Sequence, residues 1–374
     1  MIKLVYKFYY VFVIGFLSRF RALKLLIKHK EFYSASSYFP EKKRKGNIQI
    51  CFEQMVHILK YGEVNEYYFI YGFDAKTKEE MSKYISYIEF MNGRNKVNLN
   101  VSNKPYNYLS ILRDKFVFGQ YLKSLGFNTP KNLYFISYGL IRDLNSGKHI
   151  TYEQLLNLNF DAFFKGISGE RGDDVYHILI RNGFIFFNNE AISKENFLKK
   201  IKSGLFVIQE KIIQHQNINS LNKKSINTIR LTTLYKHTEQ KVGVFSSTLR
   251  LGVGDSPLDN WSQGGLVVNI QENGKLDKLG FYKPGVGTTT IKHPNTNIIF
   301  EGYEIPNYKL IVEQALELHK YFPWIPSIGW DIAIDSNGQA VFIEGNDNWA
   351  INLSQVTLGG LKKEWISFIN ENEF

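Results

Sequence analysis

The stretch "GWDIAIDSNGQAVFIEGNDN", residues 329–348, is the most informative part of this chain. Two apolar runs with strand character flank the turn-forming residues Asp335–Gly338. A hairpin of this length sets Asp331 beside Glu344, and Glu344 shares a face with Asn346 because the two are two residues apart. Two carboxylates and an amide offer the hard oxygen ligands that Mg²⁺ prefers. The stretch predicts a metal-binding hairpin; the alternative is a hairpin whose acids simply face solvent.

A glycine-rich turn follows an apolar strand in "FFKGISGERGDD", residues 163–174. Lys165 ends the strand and carries a positive charge. The turn contains the small residues Gly166, Ser168, Gly169 and Gly172. Glycines let backbone N–H groups approach an anion, because no Cβ stands in the way. The turn is therefore a candidate phosphate cradle, although it lacks the Walker A and G-x-G-x-x-G patterns and also suits an ordinary hairpin.

Composition indicates a globular chain with an anionic partner. The 374 residues are 44% hydrophobic and 22% charged, and the net charge is +11. Such a charge suits a nucleotide, a phosphorylated sugar, a membrane surface or nucleic acid. We expect no nucleic acid, because the basic excess is concentrated near the N-terminus and no recognition module is visible. The single cysteine, Cys51, excludes an internal disulfide framework and a cysteine-based zinc site, which favours the cytosol.

The N-terminal segment carries an apolar run, Phe8–Leu17, between basic flanks. The run is shorter than the roughly 20 apolar residues that a spanning helix needs. A basic amphipathic segment of this kind suits peripheral contact of residues 1–30 with an anionic membrane. Two alternatives remain open at this point: a helix packed on the body of the protein, and a signal peptide.

Hydrophobic periodicity predicts a mixed α+β architecture. Residues 47–100 have a mostly helical pattern, and residues 107–127 predict one further helix that ends at Gly126. Beyond that point the chain alternates short apolar strands, including 205–213, with helical stretches. The predicted helices lie at 193–203, 307–321 and 356–370. Much of the sheet is expected to be antiparallel.

Six motifs follow one another along the chain: "RDKF" (113–116), "FFKGISGERG" (163–172), "VIQEKIIQH" (207–215), "SINTIRLTTL" (225–234), "DNWSQGGLVVNI" (259–270) and "GWDIAIDSNGQAVFIEGND" (329–347). In this order they resemble the ATP-grasp superfamily, and more narrowly the sugar-transfer-associated ATP-grasp family. The segment "KYGEVNEYYFIYGFD", residues 60–74, also resembles the region that precedes the grasp in that family. The resemblance implies two α+β subdomains that grip ATP, behind a helical N-terminal region.

The earlier motifs imply an ATP site. By resemblance, Lys115 and Lys165 would contact the α- and β-phosphates, and the loop Ser168–Gly172 would cover the triphosphate. The backbone of the strand that links the two subdomains would hydrogen-bond the adenine. The matching residues of that strand are Gln209, Glu210, Lys211 and Ile212.

The later motifs imply the metal site and the catalytic cations. The residues that match positions for one or two Mg²⁺ are Asp331, Glu344 and Asn346. Arg230 would stabilise a transferring γ-phosphoryl group, together with Lys165. Asn260 and Gly264–Gly265 resemble an N-x-x-x-G-G turn of glutathione synthetase and the glutamate ligases, and Arg250 would accompany that turn.

The resemblance implies an ATP-dependent carboxylate–amine ligase with an acylphosphate intermediate. Its substrates would be a small carboxylate and an amine, with an amino acid or similar group attached to a sugar or nucleotide-sugar in surface polysaccharide or capsule biosynthesis. Such an enzyme would be cytoplasmic or would lie at the inner face of the cell membrane. Two alternatives remain: an ATP-grasp kinase that phosphorylates a sugar-type acceptor, and a nucleotide-binding module without turnover.

Two departures from the ligase pattern predict a different acceptor pocket. Trp330 stands where the resembling ligases usually have an arginine before the metal aspartate, and the residues after Asn346 differ from their E-x-N-x-x-P-G tail. Trp261 and Trp349 are near the motifs. They suit either stacking on a sugar ring or packing in the core.

The sequence predicts four regions along the chain. Residues 1–45 form a basic, apolar segment and linker, and residues 46–126 form a mostly helical domain. Residues 127–215 form the subdomain with the glycine-rich loop, and residues 216–374 form the subdomain with the metal site.

Overall fold

The computed structural model describes residues 15–99, 108–168, 174–254, 259, 261 and 264–372. Two compact units divide the chain. The first contains Met1–Gly93, Phe281–Thr290 and Ala350–Ser367. The second contains Arg94–Gly280, Ile291–Trp349 and Phe368–Phe374. The four regions predicted from the sequence stay a prediction.

The described chain begins with helices up to Ser124 and continues as strands with helices between some of them, which confirms the mixed α+β class. The helices are α1 (Gly15–Lys28), α2 (Glu31–Ser34), α3 (Asn47–Tyr61), α4 (Lys78–Ser82), α5 (Tyr87–Leu99), α6 (Leu109–Arg113), α7 (Lys115–Ser124), α8 (Tyr152–Leu156), α9 (Lys194–Lys202), α10 (Gln216–Leu221), α11 (Tyr308–His319), α12 (Asn352–Leu358) and α13 (Lys362–Glu371). A 3₁₀ turn lies at Phe73–Ala75.

The strands form two sheets. The first contains β1 (Asn132–Ser137), β2 (Leu140–Asp143), β3 (His149–Ile150), β4 (Phe160–Gly166), β5 (Val175–Arg181), β6 (Phe184–Phe187), β7 (Glu190–Ile192) and β8 (Leu205–Glu210), in the order β3-β2-β1-β8-β4-β5-β6-β7. The second contains β9 (Thr228–Lys236), β10 (Lys241–Leu251), β11 (Leu266–Ile270), β12 (Leu276–Tyr282), β13 (Thr289–Thr290), β14 (Ser327–Ile334) and β15 (Ala340–Asn346), in the order β13-β12-β11-β10-β9-β14-β15.

The first sheet buries one face against α8, through Leu155 and Leu156, and against α9. Phe197 and Ile201 are one helical turn apart on α9 and lie in the same buried cluster as Phe164 of β4 and Phe206 of β8. The rings of Phe164 and Phe206 stack with their centroids 4.6 Å apart. This packing fixes β4, and with it the chain that leads into the glycine-rich turn.

The second sheet has one face covered by α11, which packs on β9 and β10. On that face the indole N–H of Trp330 donates to Thr233 Oγ1 at 2.8 Å, and Thr233 Oγ1 lies 2.7 Å from His319 Nδ1. Trp330 is fully buried there. Because side chains alternate along a strand, Asp331 points to the opposite face.

Three element predictions are corrected. Residues 107–127 were expected to form one helix, but Asp114 interrupts it with φ −92° and ψ 110°. Its carboxylate accepts from the backbone N–H groups of Phe116 and Val117 and so begins α7 as an N-cap. The helix expected at 356–370 is likewise divided at Gly359, whose φ is +92°. The strand expected at 205–213 ends at Glu210.

Candidate active site

The predicted hairpin forms in the predicted register and brings polar residues of four strands to one face. β14 pairs antiparallel with β15, and Asp331 lies opposite Glu344. On the other side of β14, Asp331 lies opposite Arg230 of β9, and Arg230 lies opposite Thr248 of β10. Asn346 pairs with Gly329, which places it on the same face as Asp331. The face therefore presents both acids, the amide and Arg230 together.

Asp331 is held by two arginines. Arg230 Nε lies 2.5 Å from Asp331 Oδ1 and Arg230 Nη2 lies 2.9 Å from Oδ2, a two-point contact. Arg250 Nη1 lies 3.0 Å from Asp331 Oδ2, and its Nη2 lies 2.9 Å from Asp259 Oδ1. Asp259 also accepts the backbone N–H and the hydroxyl of Thr228. The result is a buried chain of alternating charges from Arg230 to Asp259.

The two hairpin carboxyls have opposite pKa shifts. Burial raises the pKa of the Asp331 carboxyl, but the guanidiniums of Arg230 and Arg250 outweigh burial and hold this pKa well below its usual range. Burial raises the pKa of Glu344, and the neighbouring Asp331 carboxylate raises it further. Asp331 is therefore ionised, and its negative charge disfavours ionisation of the neighbouring Glu344.

Lys115, on α7, and Lys165, on β4 of the first sheet, are the two lysines predicted to bind phosphate. Lys115 is the first residue of α7, and its backbone N–H donates to the carbonyl of Ile167 at 3.0 Å. This bond ties α7 to the chain directly after Lys165. The pKa of Lys165 is lowered to about 8, mainly by burial. The Glu344 carboxylate raises this pKa, and the positive charge of Lys115 lowers it further. Lys165 thus interacts electrostatically with the acidic hairpin, and all three residues belong to the second unit.

The linking strand carries the residues predicted to face the adenine. Gln209 is buried in β8, where its amide nitrogen donates to Asn132 Oδ1 at 2.8 Å. Glu210 ends β8, and Lys211 and Ile212 follow it, with the Lys211 ammonium 3.1 Å from Asp161 Oδ2. The chain then reaches the second sheet, where Gln214 bridges to Asp335 and the N–H of His215 donates to Ile334.

Several predicted residues fall at the edge of the described chain. Ser168 is exposed. Gly169, Gly172 and Asn260 lie outside the described residues. Gly264 has a φ of +98°, a conformation that suits glycine, and it precedes Gly265 and β11.

The tryptophans near the site are core residues. Trp261 and Trp349 are buried, as Trp330 is. The indole N–H of Trp349 donates to Ser327 Oγ at 3.2 Å, and a Cβ at Gly329 would come within 2.8 Å of the Trp349 Cβ. This close packing favours the core interpretation of Trp349 over stacking on a sugar ring.

The donor set fits a magnesium ion. Asn346 Nδ2 lies 3.2 Å from Glu344 Oε1, so the amide and the carboxylate form one oxygen-rich cluster with Asp331. The carboxyls of Asp331 and Glu344 face each other, and the negative charge of Asp331 raises the pKa of Glu344. A divalent cation between them would reduce this repulsion. Among the described residues no three His, Cys, Asp or Glu side chains cluster as ligands. A metal here would therefore depend on Glu344, Asn346 and a shared Asp331, with the remaining ligands supplied by substrate and water.

Three polar residues of this face were missed in the sequence. Asp259 holds Arg250, as described above. Thr248 and Asn269 are paired neighbours on β10 and β11. Thr248 Oγ1 and Asn269 Oδ1 are both buried and find no hydrogen-bond partner among the residues that the structure describes. Thr248 lies two residues from Arg250 on β10 and so shares its face, and the pairing of β10 with β11 brings Asn269 beside Thr248. Asp259 adjoins the "NWSQGG" motif.

Comparison with known proteins gives a family and a set of distant structural neighbours. An N5-carboxyaminoimidazole ribonucleotide synthetase in complex with ADP shares 9% identity over 64% of this chain and 45% of its own, with a TM-score of 0.36. The D-alanine–D-alanine ligase of Bacillus anthracis complexed with ATP shares 15% over 74% of this chain and 72% of its own, with a TM-score of 0.39. The biotin carboxylase domain of the Hydrogenobacter thermophilus 2-oxoglutarate carboxylase in complex with MgADP shares 12% over 64% of this chain and 40% of its own, with a TM-score of 0.35.

The chain spans less than half the length of the synthetase and of the carboxylase domain. A search of curated protein sequences found no match. The model of the family described as sugar-transfer associated ATP-grasp matches residues 94–367, which is more than half of the chain and includes every predicted site residue. The chain belongs to the sugar-transfer associated ATP-grasp family and has the ATP-grasp fold.

Proposed function

We propose that the protein is an ATP-dependent carboxylate–amine ligase. The observation that carries this proposal is the pair of cations next to the acidic hairpin of the second sheet: Lys165 at the end of β4, and Lys115 at the start of α7, whose backbone N–H is bonded to Ile167. A nucleoside triphosphate needs cationic side chains along its phosphates and hard oxygen ligands for the metal ion bound to those phosphates. Arg230 and Arg250 supply further positive charge on the same face.

The chemistry requires charge neutralisation and positioning rather than a protein nucleophile. A substrate carboxylate attacks the γ-phosphorus, the bond to ADP breaks, and an acylphosphate forms. An amine then attacks the acyl carbon, phosphate leaves, and the amine loses a proton. Lys115 and Lys165 would bind the α- and β-phosphate oxygens, and Arg230 would face the transferring group. A magnesium ion held at Glu344, Asn346 and Asp331 would neutralise phosphate charge.

The adenine would lie against the linking strand. There β8 ends at Glu210, and the backbone of Lys211 and Ile212 continues toward the second sheet. Backbone N–H and C=O groups in such a segment recognise the edge of a purine without help from side chains. Gly169 and Gly172 would flank the loop over the phosphates.

The acceptor would be a polyhydroxylated molecule bound near Arg250. Thr248 Oγ1 and Asn269 Oδ1 are buried polar atoms without a partner among the described residues, and such atoms are costly unless a ligand or water satisfies them. A sugar hydroxyl or amine suits both. Together with the family's association with sugar transfer, this supports an amino sugar or uronic acid, free or nucleotide-linked, of a surface polysaccharide such as capsule.

The reaction would take place in the cytoplasm, where ATP is available, or at the inner face of the cell membrane. No helix in the described part of the chain has the length and apolar character needed to cross a bilayer. Residues 1–14, which include much of the apolar run, lie outside the described residues. Contact of residues 1–30 with a membrane therefore stays a prediction on sequence grounds.

The test is release of ADP by the full-length protein, screened over pairs of amino acids with amino sugars, uronic acids and their nucleotide-linked forms. A ligase gives ADP only when a carboxylate and an amine are both present, and the product contains an amide. Release with a sugar alone, with phosphate retained on the sugar, would establish the kinase alternative instead. Binding of ATP without turnover under every pair would leave the nucleotide-binding module.

A further inference from the structure

Helix α3 carries a second apolar stripe that faces away from the protein. Its inner face buries Ile50, Gln54 and Ile58 at helical spacing. The exposed stripe consists of Ile48, Phe52, Met55, Val56 and Leu59, spaced by four, three, one and three residues. Ile48 is 90% exposed, Phe52 58% and Leu59 62%. A helix that packs only on its own protein has polar residues on its outer face, so this stripe needs a partner.

Helix α1 adjoins α3 and extends the exposed apolar surface. Ala22 and Leu26 of α1 share a buried cluster with Ile58 of α3. The guanidinium of Arg19 donates to the carbonyls of Leu59 and Lys60 at 2.8 and 3.3 Å, which fastens α1 to the C-terminal end of α3. The large exposed apolar residues of α1 are Phe16, Leu17, Phe20, Leu25 and Ile27. We call the ten exposed apolar side chains of α1 and α3 the two-helix apolar surface.

The charge on the α1 half of this surface has one sign. Residues 15–30 contain five Lys or Arg and no Asp or Glu. The ammonium of Lys24 lies 4.6 Å from the centroid of the exposed Phe20 ring, so positive charge and apolar area are interleaved on α1. Exposed Arg21 and Lys28 lie on the same helix. Basic side chains interleaved with Phe and Leu on a helix of this length are typical of segments that lie in the headgroup region of an anionic bilayer.

We propose that the two-helix apolar surface docks on an anionic membrane surface. The alternative occupant with the same apolar requirement is a second copy of the chain. That pairing would place the basic side chains of one α1 against those of another, which like-charge repulsion opposes. A lipid surface instead accepts the apolar side chains between acyl chains and pairs the basic ones with headgroup phosphates. Helix α3 extends the membrane contact predicted from the sequence, because that prediction covered residues 1–30 and α3 begins at Asn47.

Vesicle co-sedimentation of the full-length protein tests the proposal. We expect binding to phosphatidylcholine vesicles that contain about 30% phosphatidylglycerol, weak binding to pure phosphatidylcholine vesicles, and loss of binding as salt rises. The variant Arg21→Ala/Lys24→Ala/Lys28→Ala should bind on the order of 100-fold more weakly, because each basic side chain near the surface contributes about 1 kcal/mol. The separate variant Ile48→Ser/Phe52→Ser/Leu59→Ser should lose most of the parent protein's affinity for these vesicles.

A matched control comes from exposed apolar residues in the first sheet. The variant Leu140→Ser/Phe184→Ser replaces side chains that are 68% and 69% exposed and should bind vesicles as the parent does. Binding of ATP, measured by calorimetry, and the unfolding temperature should be unchanged in all three variants, since none touches the proposed active site. This separates failure of the docking surface from failure of the proposed function.

Three results would overturn the proposal. One is absence of binding to both kinds of vesicle. Another is parent-like binding by the α3 variant. The third is a dimer, seen by light scattering, that the α3 substitutions dissociate while vesicle binding stays absent; that result would assign the surface to a second copy of the chain.

Discussion

Two hydrogen bonds between Asp331 and Arg230 fix the positions of a proposed metal ligand and a proposed catalytic cation. Their two-point contact uses both carboxylate oxygens, and Arg250 uses one of them again. A carboxylate with two guanidinium partners stays ionised, so it offers a fixed negative charge next to Glu344. We expect Arg230 to turn from Asp331 toward phosphate oxygens when ATP and a metal are present. Arg250 is also held by Asp259 and would stay in place.

Lys165 predicts a pH dependence for ATP binding. Its pKa is lowered to about 8, so the ammonium is charged below that pH and becomes neutral above it. The affinity for ATP should therefore be constant up to about pH 7.5 and fall above pH 8, approaching tenfold per pH unit, if Lys165 contacts the phosphates. Equilibrium binding of a non-hydrolysable ATP analogue between pH 6.5 and 9.5 measures this.

The matched variant is Lys165→Arg, whose guanidinium stays charged throughout this range. Its affinity should show no decline between pH 8 and 9.5. An equally steep decline in both proteins would remove Lys165 as the titrating group.

The lowered pKa of Lys165 also makes the free energy of unfolding depend on pH. Because the folded chain releases this proton at a lower pH than the unfolded chain, the contribution of Lys165 to stability increases from about pH 8 towards the ordinary lysine pKa.

At the level of elements, the β14–β15 hairpin depends on close packing behind its polar face. Gly345 lies between Glu344 and Asn346, and its side-chain position faces the buried Trp330 ring. A Cβ there would come within 2.8 Å of Leu112 Cδ2 and 2.9 Å of Trp330 Cζ3. Both neighbours are buried and cannot move without disturbing the core. The glycine of the "EGN" motif thus sets the position of the two residues proposed as metal ligands.

Gly345→Ala should therefore destabilise the fold and weaken binding of Mg-ATP. Overpacking of this kind costs about 1–3 kcal/mol, so the unfolding temperature should fall by several degrees. Gly243→Ala in β10 is the matched control, because a Cβ there has nothing within 4 Å. Thermal unfolding of both variants measures the difference. Equal unfolding temperatures in the two would contradict the close packing.

The elements show what the sequence could and could not predict. The hairpin register follows from a short turn with polar residues between apolar runs, so Asp331 opposite Glu344 was correctly predicted. The division at Asp114 was missed because a carboxylate within an apolar-periodic stretch has the same pattern whether it caps a helix or faces solvent. The contact of Arg250 with Asp331 was missed because it depends on strand order, which joins residues 81 positions apart.

At the scale of the whole molecule, the proposed ATP site takes residues from both sheets. Lys165 ends a strand of the first sheet, and Glu344 lies on a strand of the second. The Glu344 carboxylate opposes the lowering of the Lys165 pKa by burial, and we propose that both side chains serve one charged ligand. The family to which the chain belongs fixes the fold.

Calorimetric titration with a non-hydrolysable ATP analogue, with and without Mg²⁺, shows whether Lys165 and Glu344 serve one ATP site. Lys165→Ala should weaken binding about 10- to 100-fold in both conditions, because it removes one charge-assisted contact to phosphate. Glu344→Gln should bind as the parent does without Mg²⁺ and should lose the gain in affinity that Mg²⁺ brings. The exposed pair Lys275 and Glu304, which lie 3.3 Å apart, supplies the controls Lys275→Ala and Glu304→Gln. Parent-like affinities for Lys165→Ala, or a full Mg²⁺ effect in Glu344→Gln, would contradict the account.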